Sequence, residues 1–310
     1  MLVMPYLAPP ASYQNPVIQR DAPDPGVLRT EQDYVMCTTG GDRAQGAFPL
    51  YRSTDLVHWA RAGSIFARRQ TPGWSQGDYW APEIHPVGQG YVAYFTARDH
   101  SGMLRIGAAT SPRPEGPYQD IGQPLVAAPD IGVIDPTFFR DQDGSQYLYW
   151  KEDGNAFNPP RPSRILGQRL EADGVTRLGE PVEVLRNDPD SWEGDIVEAP
   201  EVVRRGDYYY LLYSGNGYWG DAYAEGAARS RSPLGPFEKA GQPFLHSNPR
   251  WEGPGHAYLT QDRAGQDWLI YHAWDEQHQA RQVLVDPVEW GPDGWPHMQG
   301  PSEGGPAPKT

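Results

Sequence analysis

The sequence predicts an all-β fold, a five-bladed β-propeller, and three observations support that prediction. The 310 residues include 35 glycines and 33 prolines, which disfavours a helical bundle because both residue types interrupt helices. A degenerate unit that starts at a proline recurs five times along the chain. Each unit continues into short segments that alternate aromatic or β-branched residues with polar ones, as strands do. Evenly spaced short strands in a repeating unit are typical of a propeller.

The repeat is read from five similar segments. They are DAPDPGVLR from Asp21, YWAPEIHPV from Tyr79, VIDPTFFRD from Val133, VEAPEVVRR from Val197 and GPGHAYLT from Gly253. With Pro25, Pro82, Pro136, Pro200 and Pro254 as anchors, the spacings are 57, 54, 64 and 54 residues. Each anchor therefore marks the first strand of a blade.

The remaining strands of each blade follow the anchor. A glycine or aspartate turn leads into an aromatic strand, as in GQGYVAYFTA, DGSQYLYWKE, RGDYYYLLYS and GQDWLIYHAW, and a third strand follows, as in LRIGAATS. Because blades close radially, we expect one domain over residues 1–310 with its core at about 16–298. The tail from Gly300 is expected to be disordered. A β-sandwich with accidentally similar hairpins is the alternative fold.

Composition excludes several classes of partner. The formal net charge is −14, which disfavours nucleic acid and anionic membrane surfaces, since both require basic patches. Cys37 is the single cysteine, so a disulfide framework and a cysteine zinc cluster are excluded. The N-terminal residues lack the pattern of a signal peptide, and no apolar run reaches the length of a membrane span. We therefore expect a cytoplasmic protein.

Acidic residues stand where the first strands begin. In a propeller these strands line the central axis, so polar residues at their starts converge at one mouth. The residues at these positions are Asp24, Glu83, Asp135, Glu198, Glu201 and His256. Carboxyl groups that share a concave site raise one another's pKa values, and paired carboxyl groups carry out glycoside hydrolysis.

The repeat separates structural acids from catalytic ones. WAPE and EAPE align on Ala-Pro-Glu, so Glu83 and Glu201 are equivalent and are expected to accept hydrogen bonds between blades. Glu198 aligns with Trp80 and breaks the repeat, which is where function is expected. Asp24 and Asp135 both precede an anchor proline. Asp21 is a weaker rival to Asp24, because an aspartate at such a position more often caps a turn.

With these motifs in order, the chain resembles glycoside hydrolase family 43, a five-bladed propeller family of arabinofuranosidases, arabinanases and xylosidases. The resemblance runs from about Asp21 to Trp295. The segments that carry it are DPGV, WAPE, IDPTFFRDQDGSQYLYW, EAPEVVRRGDYYYLLYS, GPGH and SPLGPF. The late Arg281 adds to it.

The resemblance implies a role for each matched residue. Asp24 corresponds to the general base, Asp135 to an auxiliary aspartate that raises the pKa of the acid, and Glu198 to the general acid. His256 corresponds to a histidine that often coordinates calcium, mostly through waters, and Arg281 to an arginine that contacts the sugar. The implied reaction is hydrolysis with inversion, which needs carboxyl groups about 6.5–9.5 Å apart. Asp135 is expected to be ionised.

Aromatic side chains are expected to form the sugar-binding floor. Trp80 lies beside the axis by the repeat argument, and the other candidates are Trp150, Tyr218, Trp219 and Trp274. The expected ligand is a neutral pentose-containing oligosaccharide, with calcium as a candidate cofactor. The favoured activity is that of an exo-acting α-L-arabinofuranosidase on arabinan or arabinoxylan. The alternatives are a β-xylosidase, an endo-arabinanase and a non-catalytic sugar-binding propeller, and the oligomeric state is left open.

Overall fold

The computed structural model describes residues 11–310 and confirms the predicted fold: five antiparallel sheets are arranged as a β-propeller. In each blade the strands follow one another in space nearly in chain order, from the axis outward. The regular structure is almost entirely β, with one short 3-10 turn at Gly154–Ala156 in the described part of the chain. No helix in that part is long and apolar enough to cross a membrane.

The first two blades are formed by nine strands. Blade I contains β2 (Gly26–Arg29), β3 (Tyr34–Cys37), β4 (Gly41–Asp42), β5 (Gly46–Ser53) and β6 (Ala60–Phe66), with β1 (Ser12–Gln14) preceding it in the chain. Blade II contains β7 (Ser75–Val87), β8 (Gly90–Asp99), β9 (Leu104–Ser111) and β10 (Gln119–Asp120). Buried Cys37 lies in β3, as expected for a core residue.

The other three blades repeat this plan. Blade III contains β11 (Val133–Arg140), β12 (Gln146–Glu152), β13 (Arg164–Leu170) and β14 (Arg177–Arg186). Blade IV contains β15 (Val197–Arg205), β16 (Tyr208–Gly215), β17 (Ala224–Ser230) and β18 (Glu238–Lys239). Blade V contains β19 (Glu252–Gln261), β20 (Asp267–Trp274) and β21 (Arg281–Pro287). The chain then forms β22 (Glu289–Trp290), β23 (Pro296–His297) and β24 (Gly304–Pro306).

The hydrophobic core is divided among the junctions between blades. Five buried apolar clusters are present, and each combines side chains from two neighbouring blades. The cluster between blades V and I, for example, contains Trp268 and Ile270 from β20 together with Val27 and Met36. A single domain of this length therefore buries its apolar side chains without one central core.

The ring is closed by both ends of the described chain. Val17 donates its amide to Val283, so the N-terminal segment adds to the outer edge of blade V. β1 pairs with β24, and Arg263 donates its amide to the carbonyl of Lys309. The prediction of a disordered tail from Gly300 was therefore wrong, because this segment is held by backbone pairing. The prediction that the chain lacks a signal peptide concerns its N-terminal segment. Residues 1–10 of that segment lie outside the described residues.

A strained backbone residue marks the axial position of every blade. These residues have φ between 45° and 58°, which is uncommon for residues with a side chain, and they are Asp24, Ala81, Asp135, Ala199 and His256. In blades II to V the pairing of the first two strands shifts register around this position. Such bulges turn a side chain toward a site. In blade V the axial residue is His256, so Pro254 is not equivalent to the other anchor prolines.

Candidate active site

The five axial residues are tied to one another around the axis. Each donates its amide to a side chain of the preceding blade, over 2.7–3.2 Å. The acceptors, for Asp24, Ala81, Asp135, Ala199 and His256 respectively, are His272 Nδ1, Thr39 Oγ1, Thr96 Oγ1, Asp135 Oδ2 and Ser214 Oγ. Three acceptors are hydroxyl groups, and the two exceptions belong to the junctions that precede Ala199 and Asp24. The irregular junctions therefore adjoin the two predicted catalytic residues Glu198 and Asp24.

Asp24 lies in a buried and positively charged environment. Its Oδ1 is 3.3 Å from Arg281 Nη1 and 3.3 Å from His256 Nδ1, and Thr39 donates a hydrogen bond to its Oδ2. Burial alone would raise the pKa of Asp24, but Arg281 and His256 outweigh it and hold that pKa well below its usual value. Asp24 is therefore ionised at neutral pH, as a general base requires. The rival Asp21 is exposed and accepts the backbone amide of Arg281 at 3.0 Å.

His272, on β20 of blade V, contacts Asp24. His272 Nδ1 lies 3.2 Å from both the backbone nitrogen and the Oδ1 atom of Asp24. Burial lowers the pKa of His272 to about 4, so the ring is neutral at pH 7. Its Nε2 is buried and has no hydrogen-bond partner among residues 11–310. The ring stacks on Tyr223, with centroids 5.9 Å apart and planes 6° apart.

The charges of Glu198 and Asp24 both act on the carboxyl group of Asp135. Burial raises the pKa of Asp135 to about 7, opposed by His256 and Lys151 and reinforced by Glu198 and Asp24. The raised pKa favours the protonated form of Asp135, whereas the sequence predicts an ionised aspartate. Its Oδ2 accepts the amide of Ala199 at 3.0 Å. Asp135 thus fixes the backbone next to Glu198.

Glu198 is held by two donors at the mouth of the propeller. Lys151 Nζ donates to Glu198 Oε2 over 2.9 Å, and Tyr223 donates its hydroxyl to Oε1 over 2.9 Å. Lys151 is only 1% exposed and lies 3.0 Å from Asp153 Oδ1 as well. Through Tyr223, the Glu198 carboxylate connects to the ring of His272 and hence to Asp24. The structure thus brings the three predicted catalytic acids to one place.

Glu83 and Glu201 have the structural role that the repeat predicts. Glu83 Oε2 accepts hydrogen bonds from the Thr137 hydroxyl and the Phe138 amide of the next blade, at 3.0 and 3.4 Å. Glu201 Oε2 accepts the amide of Leu259 from the next blade at 2.7 Å. Both residues tie neighbouring first strands together.

An exposed aromatic surface lies beside Asp24. Tyr218 and Trp219 are 40% and 62% exposed, and their rings meet edge to face with centroids 5.5 Å apart. The Arg281 guanidinium lies 4.5 Å from the ring centroid of Tyr218 and 5.8 Å from that of Trp274. The indole of Trp274 donates to the carbonyl of Tyr218 over 2.6 Å. Arg281 therefore links this surface directly to the Asp24 carboxylate.

The two remaining tryptophans differ in accessibility. Trp80 is half-buried and pairs with Thr96 in the register in which Glu198 pairs with Ser214, so the two residues occupy the same level of the axis. Trp150 is 1% exposed and packs in the apolar cluster between blades II and III. The prediction that Trp150 contacts substrate was therefore wrong. Aromatic content alone does not tell which face of a strand a ring occupies.

The described residues do not by themselves offer a calcium site. Among residues 11–310, no group of three or more His, Cys, Asp or Glu side chains is placed to hold a metal ion. His256 Nδ1 faces the Asp24 carboxylate at 3.3 Å, whereas calcium takes six to eight oxygen ligands. With His256 as the protein ligand, the remaining ligands of the ion are waters, and calcium at His256 stays a prediction that the structure does not test.

Sequence reasoning missed Lys151, Tyr223 and His272. Lys151 pairs with Ile134 in the register that matches Thr96 with Trp80 and Ser214 with Glu198. A lysine near the end of an aromatic strand, where blades II and IV carry a hydroxyl residue, is the signal that an alignment of second strands could have used. His272 stands at the corresponding position of blade V, opposite Gly255.

Comparison with known proteins identifies the class to which this fold and site belong. The family model of the glycosyl hydrolases family 43 matches residues 13–296. The chain belongs to that family. A crystal structure of a thermostable family-43 glycoside hydrolase superposes with a TM-score of 0.88 at 31% identity, covering 96% of this chain and 99% of the other.

The curated relatives carry several related activities in their names. A non-reducing end alpha-L-arabinofuranosidase of Bacteroides ovatus is 28% identical over 93% of this chain, which spans 53% of that relative's length. An extracellular exo-alpha-(1->5)-L-arabinofuranosidase of Cellvibrio japonicus is 27% identical, covering 90% of this chain and 87% of the relative. A beta-D-galactofuranosidase of Aspergillus niger is 28% identical over 83% of this chain and 75% of its own length.

Proposed function

We propose that this chain hydrolyses terminal α-L-arabinofuranosyl residues of neutral oligosaccharides with inversion of configuration. The observation that carries the proposal is the asymmetric pair of carboxylates. Asp24 is ionised beside Arg281 and His256, and Glu198 lies at the same mouth with Lys151 and Tyr223 as its donors. Two carboxyl groups in different environments are the arrangement that separates a base from an acid.

The mechanism follows from these environments. Asp24 accepts a proton from the attacking water, and its low pKa keeps it in the basic form at neutral pH. Glu198, in its protonated form, delivers a proton to the leaving oxygen as the glycosidic bond breaks. The charge of Glu198 raises the pKa of the neighbouring Asp135. The protonation states of these two carboxyl groups therefore depend on each other. Water supplies the hydroxyl of the released sugar and leaves its proton on Asp24, and exchange with solvent then returns Asp24 to the ionised form and Glu198 to the protonated form.

The aromatic surface beside Asp24 supports the exo mode of action. Tyr218 and Trp274 face the guanidinium of Arg281 on one side of the mouth, and Trp219 packs edge to face on Tyr218. Apolar sugar faces stack on such rings, while Arg281 donates to hydroxyl groups. Two relatives named for non-reducing end or exo arabinofuranosidase activity support the choice of sugar. A β-xylosidase is the second candidate, since a putative beta-xylosidase of Xylanibacter ruminicola is 26% identical over 92% of this chain.

A side-by-side substrate panel tests the proposal. Nitrophenyl α-L-arabinofuranoside, β-D-xylopyranoside and β-D-galactofuranoside are hydrolysed in parallel, and arabino-oligosaccharides are added to follow chain-end release. We expect the highest kcat/KM on the arabinofuranoside and release of single arabinose units. A preference for the xyloside selects the second candidate. Absence of hydrolysis on every substrate, with intact folding by circular dichroism, overturns the proposal in favour of a sugar-binding propeller.

A further inference from the structure

The pattern of the five axial junctions singles out one buried lysine. In blades II and IV, the second-strand residues that pair opposite Trp80 and Glu198 are the hydroxyl residues Thr96 and Ser214, which accept the next axial amide. In blade III the corresponding residue is Lys151, opposite Ile134. Lys151 cannot accept a hydrogen bond, and the amide of Ala199 turns instead to Asp135 Oδ2. The exchange of a hydroxyl for an ammonium occurs at the junction that carries Glu198.

The surroundings of Lys151 leave the ammonium no access to solvent. Its side chain is 1% exposed, and the ammonium lies 2.9 Å from Glu198 Oε2 and 3.0 Å from Asp153 Oδ1. Burying an ammonium is costly unless it is paired and hydrogen-bonded. The carboxylates of Glu198, Asp153 and Asp135 outweigh that penalty and raise the pKa of Lys151 further. The lysine is therefore permanently charged beside Glu198.

A fixed positive charge at this distance has a definite chemical effect. It favours the ionised form of a neighbouring carboxyl group and lowers its proton affinity, by about one to three pH units for close pairs. It also fixes one carboxylate oxygen in place, while Tyr223 fixes the other. We propose that Lys151 is a positioning residue for the acid: it holds the Glu198 carboxylate at the mouth and sets the pH above which Glu198 no longer carries its proton. The inference rests on the hydrolysis proposed above.

The proposal predicts opposite shifts in two variants. Lys151→Met removes the charge at nearly unchanged volume, so Glu198 keeps its proton to higher pH, and the alkaline limb of kcat/KM moves up by about one unit or more. Asp153→Asn removes a negative charge from the other side of Lys151, so the limb moves down by a smaller amount. Lys151→Arg keeps the charge and should restore the original limb. The substrate is an arabinobiose, because its leaving alcohol needs the proton.

A matched control separates this effect from the loss of any buried ion pair. Lys239 makes the same kind of contact, 2.6 Å from Glu193 Oε2, but on the outer strand of blade IV. Lys239→Met should leave the limb in place. A role of Lys151 in folding alone would lower activity or stability without moving the limb.

A titration that needs no turnover completes the test. The side-chain carboxyl resonances of the ¹³C-glutamate-labelled chain are followed against pH, and Glu198→Gln identifies the Glu198 signal. Its midpoint should rise in Lys151→Met and fall in Asp153→Asn, even if the substrate is not the one proposed. Unmoved midpoints in both variants overturn the role of Lys151. If Lys151→Met does not fold, the Asp153→Asn shift decides alone, since Asp153 is partly accessible.

Discussion

Glu198 and Glu201 lie three residues apart on β15, yet they belong to different chemical environments. Glu198 stands at the mouth of the propeller, where the Lys151 ammonium and the Tyr223 hydroxyl donate to it. Among residues 11–310, Glu201 accepts the backbone amide of Leu259 and borders a cavity of about 350 Å³ lined by His85, Thr137 and Tyr258. Burial raises the pKa of Glu201 well above its usual value. The comparison indicates that departure from the repeat, rather than acidity, distinguishes the proposed catalytic acid from a structural one.

Replacing each of the two glutamates by glutamine should give the largest difference in activity between them. Glu198→Gln removes the transferable proton, so we expect kcat/KM on an arabinobiose to fall by about 10²–10⁴-fold. Glu201→Gln keeps an oxygen for the Leu259 amide and should stay within a few-fold of the unaltered chain. Steady-state kinetics with circular dichroism as the folding control measure both. Equal losses in the two variants would contradict the separation of roles.

The leaving group sharpens the same test, because only the acid acts on it. A dinitrophenyl arabinofuranoside has a leaving group that departs without protonation. Glu198→Gln should therefore recover most of its lost activity on this substrate, while Asp24→Asn should remain impaired on both. The opposite dependence would exchange the two assignments.

Trp150 and Trp219 provide the corresponding contrast among the aromatic residues. Trp150→Ala empties part of the cluster between blades II and III and should lower the free energy of unfolding by about 3–5 kcal/mol. Trp219→Ala removes a ring that is 62% exposed, so stability should hardly change while KM rises several-fold. Chemical denaturation and kinetics on arabino-oligosaccharides distinguish the two effects. Stable Trp150→Ala with a raised KM would restore Trp150 to the binding surface.

The sequence was sufficient for the fold because the repeat is local. Anchor prolines, turns and alternating aromatic strands specify each blade separately, and the five apolar clusters then follow from adjacency of the blades. The placement of Asp24, Asp135 and Glu198 at one mouth was predictable for the same reason, since equivalent positions of a ring of blades meet at the axis.

The errors share a different physical origin. The tail pairs with β1 across almost the full length of the chain, and no local pattern reports such a contact. Pro254 has the sequence surroundings of an anchor proline, although the bulge that defines the axial position falls at His256. Lys151 and His272 were missed because their importance depends on which blade follows theirs. A local sequence pattern predicts the strands within one blade, but it does not predict the contacts between blades.

The stereochemistry of the first product tests the central claim most directly. Proton NMR of the arabinofuranoside reaction, recorded before the sugar equilibrates, shows which anomer forms first. Direct attack of a water activated by Asp24, with Glu198 as acid on the opposite face, predicts the inverted β-anomer of arabinose. First release of the α-anomer would require a covalent intermediate and would contradict the roles given to Asp24 and Glu198.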